Sequence, residues 1–352
     1  MMTAGASCFQ TLSAQHAPVT PAEAEKLSME LELSINSKNP ELLNHLIYLP
    51  EFIARTKSKS PIIDNMDTLT RIADGFGLFH IGNDILEISK NGSFQLVHIF
   101  LKNEEMHLLL RAFGDGGLNY EDITLIHVKD SIRAADIFSY TLGESYAELF
   151  SNLITDLQTP DAHVSMTSKE KYEARFENAI ARKNYAVAKS TFEKFEEKTQ
   201  NDRHLALQYM LACKKLNEKL FKKSADHCIS LFPDEPTPYL LLMDEYAESR
   251  EFGVYGMAID KLDTLLHIDP FLNYFRGNVE MQLGNARAGL RFYQLVFDYD
   301  PGIWQNTEKL VAYKVVNNEL VQANEAIKLY SRTPGYRKEL VDALYANYPA
   351  LK

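Results

Sequence analysis

The stretch Gly284–Pro301, GNARAGLRFYQLVFDYDP, decides the fold of this chain. Its small residue Gly289 is followed by Tyr293 four places on and Val296 three further, an apolar stripe at helical spacing that ends at Tyr299-Asp300-Pro301. A near-copy ends 31 residues earlier, where Ala258 stands for Gly289, Leu262 and Leu265 continue the stripe, and Ile268-Asp269-Pro270 closes it. Working outward, the small position recurs at Ala188, Ser224, Ala258, Gly289 and Ala323, in steps of 36, 34, 31 and 34 residues. Such a position is small because two helices cross there, and a bulkier side chain would prise the hairpin open. The stripe recurs with it, at Phe192, Cys228, Leu262, Tyr293 and Ile327 and again at Phe195, Leu231, Leu265, Val296 and Tyr330. Asn184-Tyr185, Gly253, Gly284-Asn285 and Asn317-Asn318 fall at the turns between paired helices.

This pattern resembles the tetratricopeptide repeat, whose period is roughly 34 residues. Five degenerate units are expected over 169–335, with Tyr336–Leu351 as a solvating terminal helix, so 169–352 reads as an all-α superhelix. The units are degenerate because the small site of the first helix holds Phe176, Ala212, Tyr246, Gly277 and Val311. In such arrays the first helices line a concave wall, and the pattern projects Ala206, Tyr209, Leu240, Met243, Phe271, Tyr274, Asn278, Met281 and Gln305 onto it. Aromatic and Met side chains there suit a protein or peptide partner. Family members that clamp a terminal carboxylate use Lys, Arg and Asn, whereas the first unit here offers Glu170, Glu173 and Glu177. That activity is not expected.

Upstream the periodicity is different. Thr20 and Pro21 open a helix to Ser37, short segments follow at 41–48 and from Pro50, and another helical stretch runs from Pro61 to Ala73. Period-two segments at 85–90, 94–102, 105–113, 119–128 and 131–140 then predict an antiparallel meander, closed by a helix over 144–157. This N-terminal α+β domain, 20–157, resembles the cone-shaped nuclear transport factor 2-like or cystatin-like folds in element order. It is also similar to uncharacterised bacterial sequences that share GGLNY, Gly116–Tyr120, and DIFSYTLGE, Asp136–Glu144. The resemblance implies a curved sheet, room for an internal pocket and a homodimer through the outer sheet face. Residues 158–168, QTPDAHVSMTS, read as a linker. Residues 1–19 read as a leader, either disordered or the remnant of a signal. The compartment is left open, with cytoplasm ahead of periplasm.

Composition narrows the function classes. The formal charge is −11, and residues 1–160 carry nearly all of it, with 21 Asp and Glu against 11 Lys and Arg. An acidic half beside a neutral one gives no footprint for a phosphate backbone, so nucleic acid is not an expected partner. Cys8, Cys213 and Cys228 form neither a CxxC pair nor an even framework, and no apolar run reaches the 18 or so residues of a membrane helix. No metal, cofactor or catalytic motif is expected; HExxH, GxSxG and GxxxxGK[ST] are all absent. Gly114-Asp-Gly-Gly117 leads into a strand and reads as a hairpin turn.

The leading expectation is a non-enzymatic protein-interaction protein. The alternative is a small-molecule-binding or enzymatic α+β domain with the repeats as a recruitment or oligomerisation module, and with His98, His107, Arg111, Asp136 and Tyr140 converging on one pocket.

Overall fold

The computed structural model describes residues 18–57, 66–158 and 168–352. Most of the expected leader, including Cys8, lies outside those residues, as do 159–167 of the expected linker, the start of the helix expected from Pro61, and the side chain of Glu170.

The N-terminal half places helices on one face of a sheet. In order these are α1 (Pro21–Asn36), α2 (Glu41–Asn44), α3 (Leu49–Lys57), α4 (Met66–Gly75) and α5 (Ile81–Ile88). Then come β1 (Ser93–Lys102), β2 (Glu105–Gly114), β3 (Gly117–Val128), β4 (Ser131–Ser139), β5 (Glu144–Ser145) and α6 (Tyr146–Gln158). Thr20 caps α1 with a capping box. Its hydroxyl accepts from the Glu23 amide, and the Glu23 carboxylate accepts from the Thr20 amide at 2.9 Å. Those Thr20 bonds, with a smaller contribution from His127, hold the Glu23 carboxyl down at about 2.

The strands pair in the order β1-β2-β3-β4-β5, all antiparallel, as the meander requires. One expected strand is corrected: residues 85–90 belong largely to α5. Ile81 and Ile85, four apart, are both buried, so a helical face rather than a pleat carries the apolar run. Helices followed by a meander is therefore the architecture present, and the likeness to nuclear transport factor 2-like folds stays at element order.

The C-terminal half is helical. Its hairpins are α7/α8 (Ser168–Ala181, Tyr185–Phe192), α10/α11 (Arg203–Lys214, Glu218–Leu231) and α12/α13 (Pro236–Ser249, Phe252–Leu265). They continue with α14/α15 (Asn273–Gln282, Ala286–Tyr299) and α16/α17 (Trp304–Val316, Leu320–Tyr330). Short α9 (Glu197–Gln200) joins the first two pairs, and α18 (Lys338–Asn347) follows the last. The turn residues Asn184 and Asn217 cap the second helices of their hairpins, and Asp202 caps α10. All five small positions, Ala188, Ser224, Ala258, Gly289 and Ala323, are buried. Cys213 and Cys228 are free and buried.

The crossing of α14 and α15 shows why small residues are needed. A Cβ on Gly277 would lie 2.5 Å from the Tyr293 ring, and one on Gly289 would lie 2.8 Å from Met281. The Tyr293 hydroxyl donates to Asn278 at 2.7 Å, so the ring is tied at its far end. Overpacking costs about 1–3 kcal/mol and alanine returns about 1 kcal/mol of helix propensity. Gly277→Ala is therefore expected to destabilise by about 1 kcal/mol net, read as a lower urea midpoint. A raised midpoint would mean that the ring yields without cost.

The two faces of the sheet carry different residues. Leu108, Leu110, Ala112, Ile123, Leu125 and Ile137 pack with the N-terminal helices in one core. On the opposite face Leu109 and Tyr120 are buried in a cluster with Ala206, Leu240 and Met243 of the hairpins. β2 and β3 are thus buried on both sides, and the helical array lies against the sheet.

Candidate functional site between sheet and hairpins

Register places the five expected pocket residues on one sheet face. Arg111 pairs with Gln95 and Tyr120, His107 with Phe100 and Thr124, His98 with Leu109, and Thr124 with Asp136. This is the face that meets the hairpins, and the five divide there into two neighbouring arrangements.

The first arrangement is a latch. Arg111 is fully buried and donates to Asp269 and to Gln95, while its guanidinium sits 4.2 Å from the centre of the Phe271 ring. The Tyr120 hydroxyl donates to the other Asp269 oxygen at 2.8 Å, and Gln95 donates to Asp300. Asp269 and Asp300 are the aspartates of the two Asp-Pro pairs. Each therefore ends one repeat and also takes hold of the sheet. Burial works against the charge of Arg111, but the facing Asp269 carboxylate outweighs it and raises the guanidinium pKa. Burial and Asp269 together push the Tyr120 phenol well up. Phe113 adds aromatic contact, 4.7 Å from Phe271 and 5.6 Å from Tyr274 between ring centres.

The backbone leading to the latch is strained. His267 and Ile268 have φ of 57° and 74°, and a β-branched residue rarely adopts that left-handed region. Ile268 is 71% exposed, so it contributes little packing. Relief of about 1–2 kcal/mol of strain, less about 0.5–1 kcal/mol for glycine's freedom when unfolded, makes Ile268→Gly stabilising by roughly 0.5–1 kcal/mol. A higher melting temperature checks it; a lower one would show that the Ile268 side chain is needed.

The second arrangement is a cavity of about 660 Å³ bounded by the sheet, α3, α6, the start of α10 and the α11–α12 and α13–α14 connections. His107, Asp136 and Tyr140 line it; His98 lies beside it, exposed, its ring 5.9 Å from Phe100 and 5.7 Å from His267. Arg111 is in the latch instead. His107 Nδ1 meets Asp122 Oδ1 at 2.6 Å. Asp136 accepts from the amides of Ile137 at 2.8 Å and Ala147 at 3.1 Å, and burial raises its carboxyl pKa. Burial likewise raises the Tyr140 phenol. Arg203 donates to Glu235 at 2.8 Å and to the Gly143 carbonyl at 3.1 Å.

Sequence reasoning missed Asp122, Glu235, Asp269 and His267. Asp122 was within reach, because the tight Gly114–Gly117 turn sets Leu109 opposite Asp122. The other three come from the hairpins, and no local signal brings them to the sheet.

The residues expected on a concave wall are placed differently from an open groove. Ala206, Leu240, Met243, Phe271 and Tyr274 are buried. Phe271 and Tyr274 share a cluster against which Phe113 and Leu118 of the sheet pack, and Gln305 donates to the Asn91 carbonyl at 2.6 Å. Tyr209 stacks on Phe192 at 4.0 Å. Asn278 accepts from Tyr293 and Lys309, both at 2.7 Å, and Met281 is partly buried under α15. Five of these nine side chains are therefore buried, and Phe271, Tyr274 and Gln305 meet the chain's own sheet. The outer sheet face expected to support a homodimer is covered by the same contact.

No family model matches the chain, and no curated protein does. Similar solved structures include "MamA 41-end from Desulfovibrio magneticus RS-1", at 15% identity and TM-score 0.39, covering 51% of this chain and 98% of that one. "Crystal structure of MamA" matches at 12% and 0.37, covering 52% and 98%, and "MamA MSR-1 C2" at 12% and 0.36, covering 51% and 97%. Among the described residues no helix is long and apolar enough to cross a membrane, and no group of three or more His, Cys, Asp and Glu could hold a metal ion.

Proposed function

We propose that this chain is a non-enzymatic protein-interaction protein of tetratricopeptide-like build, in which the hairpins hold the α+β domain in cis and meet other proteins through their second helices. The observation that carries the reading is the latch. Asp269 and Asp300, from successive repeat ends, grip Arg111, Tyr120 and Gln95, so the array already treats a folded protein surface as its ligand. A wall filled in this way leaves the outer helices for a partner. There Leu295 and Leu329 stand six residues after the small positions of successive units, 53% and 43% exposed. Exposed apolar side chains at repeating positions suit contact with another protein.

The test is cross-linking and pull-down with the full chain, compared with Leu295→Lys/Leu329→Lys. Loss of a specific polypeptide by the double variant, with its melting temperature unchanged, supports the reading. A partner kept by that variant but lost by Gln305→Ala would return the site to the first-helix wall.

A further inference from the structure

We propose that the cavity between sheet and hairpins is a binding site for a small organic cation, an amine carried on an apolar body. This goes beyond the interaction reading, since it concerns the inside of the contact rather than the surface of the array.

The cavity has the size of a small-molecule site, about 660 Å³. Its floor holds a polar side chain that is buried yet incompletely partnered: His107 is 7% exposed, its Nδ1 is engaged by Asp122, and its Nε2 makes no hydrogen bond among the described residues. In the neutral ring that donates Nδ1–H to Asp122, Nε2 is a hydrogen-bond acceptor. The Tyr140 hydroxyl, also lining the cavity, makes no side-chain hydrogen bond among the described residues.

Charge decides between a cation and an anion. Six carboxylates line the cavity against three Lys and Arg. Two of those three are committed, Arg203 to Glu235 and Gly143 and Arg55 to Glu105, while Lys102 is exposed. Three of the six carboxylates are paired in turn, Glu105 with Arg55, Glu235 with Arg203 and Asp234 with Lys261, whereas Asp122 and Asp136 form no ion pair with Lys or Arg among the described residues, although the Arg55 charge acts on Asp136 from a distance. An entering group therefore meets acceptors and negative charge.

The walls supply the apolar component. Phe100 stacks beside His107 at 5.1 Å, and Phe138 and Tyr140 meet edge to face at 5.3 Å, forming an aromatic corner. Ring faces attract ammonium groups, and their bodies cover an alkyl or aryl chain.

The experiment is calorimetric titration of the full chain with phenethylamine and cadaverine, beside phenylacetate and phenethyl alcohol as anionic and neutral counterparts. The amines are expected to bind at least about tenfold more tightly than either counterpart. Asp136→Asn and Tyr140→Phe should each weaken the amines several-fold, and His98→Gln should not. Because Asp136 also holds two amides, histidine ring signals in nuclear magnetic resonance give a second readout: His107 should shift on amine addition, and its shift should be absent in Tyr140→Phe at the same concentration. Absence of amine binding, equal binding of phenylacetate, or binding that leaves His107 unmoved would overturn the proposal.

Discussion

Arg111→Ala is expected to lower the stability of the protein by about 3–5 kcal/mol, as removal of one partner from a buried ion pair does. The substitution leaves the Asp269 carboxylate buried with the Tyr120 hydroxyl and the Phe271 amide for company, and with no opposite charge. It also removes the group stacked on Phe271 and strands Gln95 beside Asp300. Asp269→Ala should cost a comparable amount, since it abandons a guanidinium that is fully buried and whose Nε already lacks a partner. The double variant Arg111→Met/Asp269→Leu is the informative control, because replacing both charges with packed apolar groups is often near neutral. Denaturant unfolding of the three variants would show two large losses and one small one. If the single variants lose less than about 1 kcal/mol, the pair is behaving as a solvated surface contact and the latch is wrong.

Glu121 supplies the second large effect. It lies on the helix-facing side of β3, and Asn119 and Ser139 donate to one of its oxygens at 2.6 and 3.1 Å while the other is buried without a partner. Burial raises its carboxyl from the ordinary 4.5 to about 8, with Asp84 and Asp122 adding to the rise. The sign follows from proton linkage. The folded chain keeps this proton at pH values where the unfolded chain has released it, so stability is fully present below the ordinary value and falls as pH rises towards about 8. Each unit of displacement corresponds to about 1.4 kcal/mol, so the loss across that window is on the order of a few kcal/mol. Glu121→Gln mimics the protonated acid, keeping an acceptor for Asn119 and Ser139. It should match the parent near pH 5, exceed its stability above pH 8, and flatten the slope between. Parallel stability profiles for the two proteins would show that Glu121 is ionised in the folded state.

Some of this was legible from residue types and some was not. The hairpins were, because close helix crossing admits little beside Gly, Ala and Ser, and that demand repeats at Ala188, Ser224, Ala258, Gly289 and Ala323. The meander was legible because its turns are short. The run at 85–90 misled because a few apolar residues fit both a strand and the buried face of a helix such as α5. The latch was hidden for a different reason. Gln95 and Arg111 each stand between apolar neighbours, which is the pattern of a sheet face turned to water, and only the arrival of hairpins more than a hundred residues later buries Arg111. Asp269 and Asp300 looked like helix terminators, and they are, but a terminator's free carboxylate is also available to grip whatever lies alongside. Three of the five expected pocket residues do line one cavity, because shared strand parity survives even when the depth of burial cannot be foreseen.

The most direct measurement concerns the contact between sheet and hairpins. A protease site is introduced within residues 159–167, between α6 and α7, the chain is cleaved there under native conditions, and the cleaved product is run on size exclusion at physiological salt. The latch and its aromatic surround are expected to keep the two fragments together as one species of the parent's size, and Arg111→Ala should let them part. Two separate peaks from the cleaved parent would contradict an array that holds its own sheet.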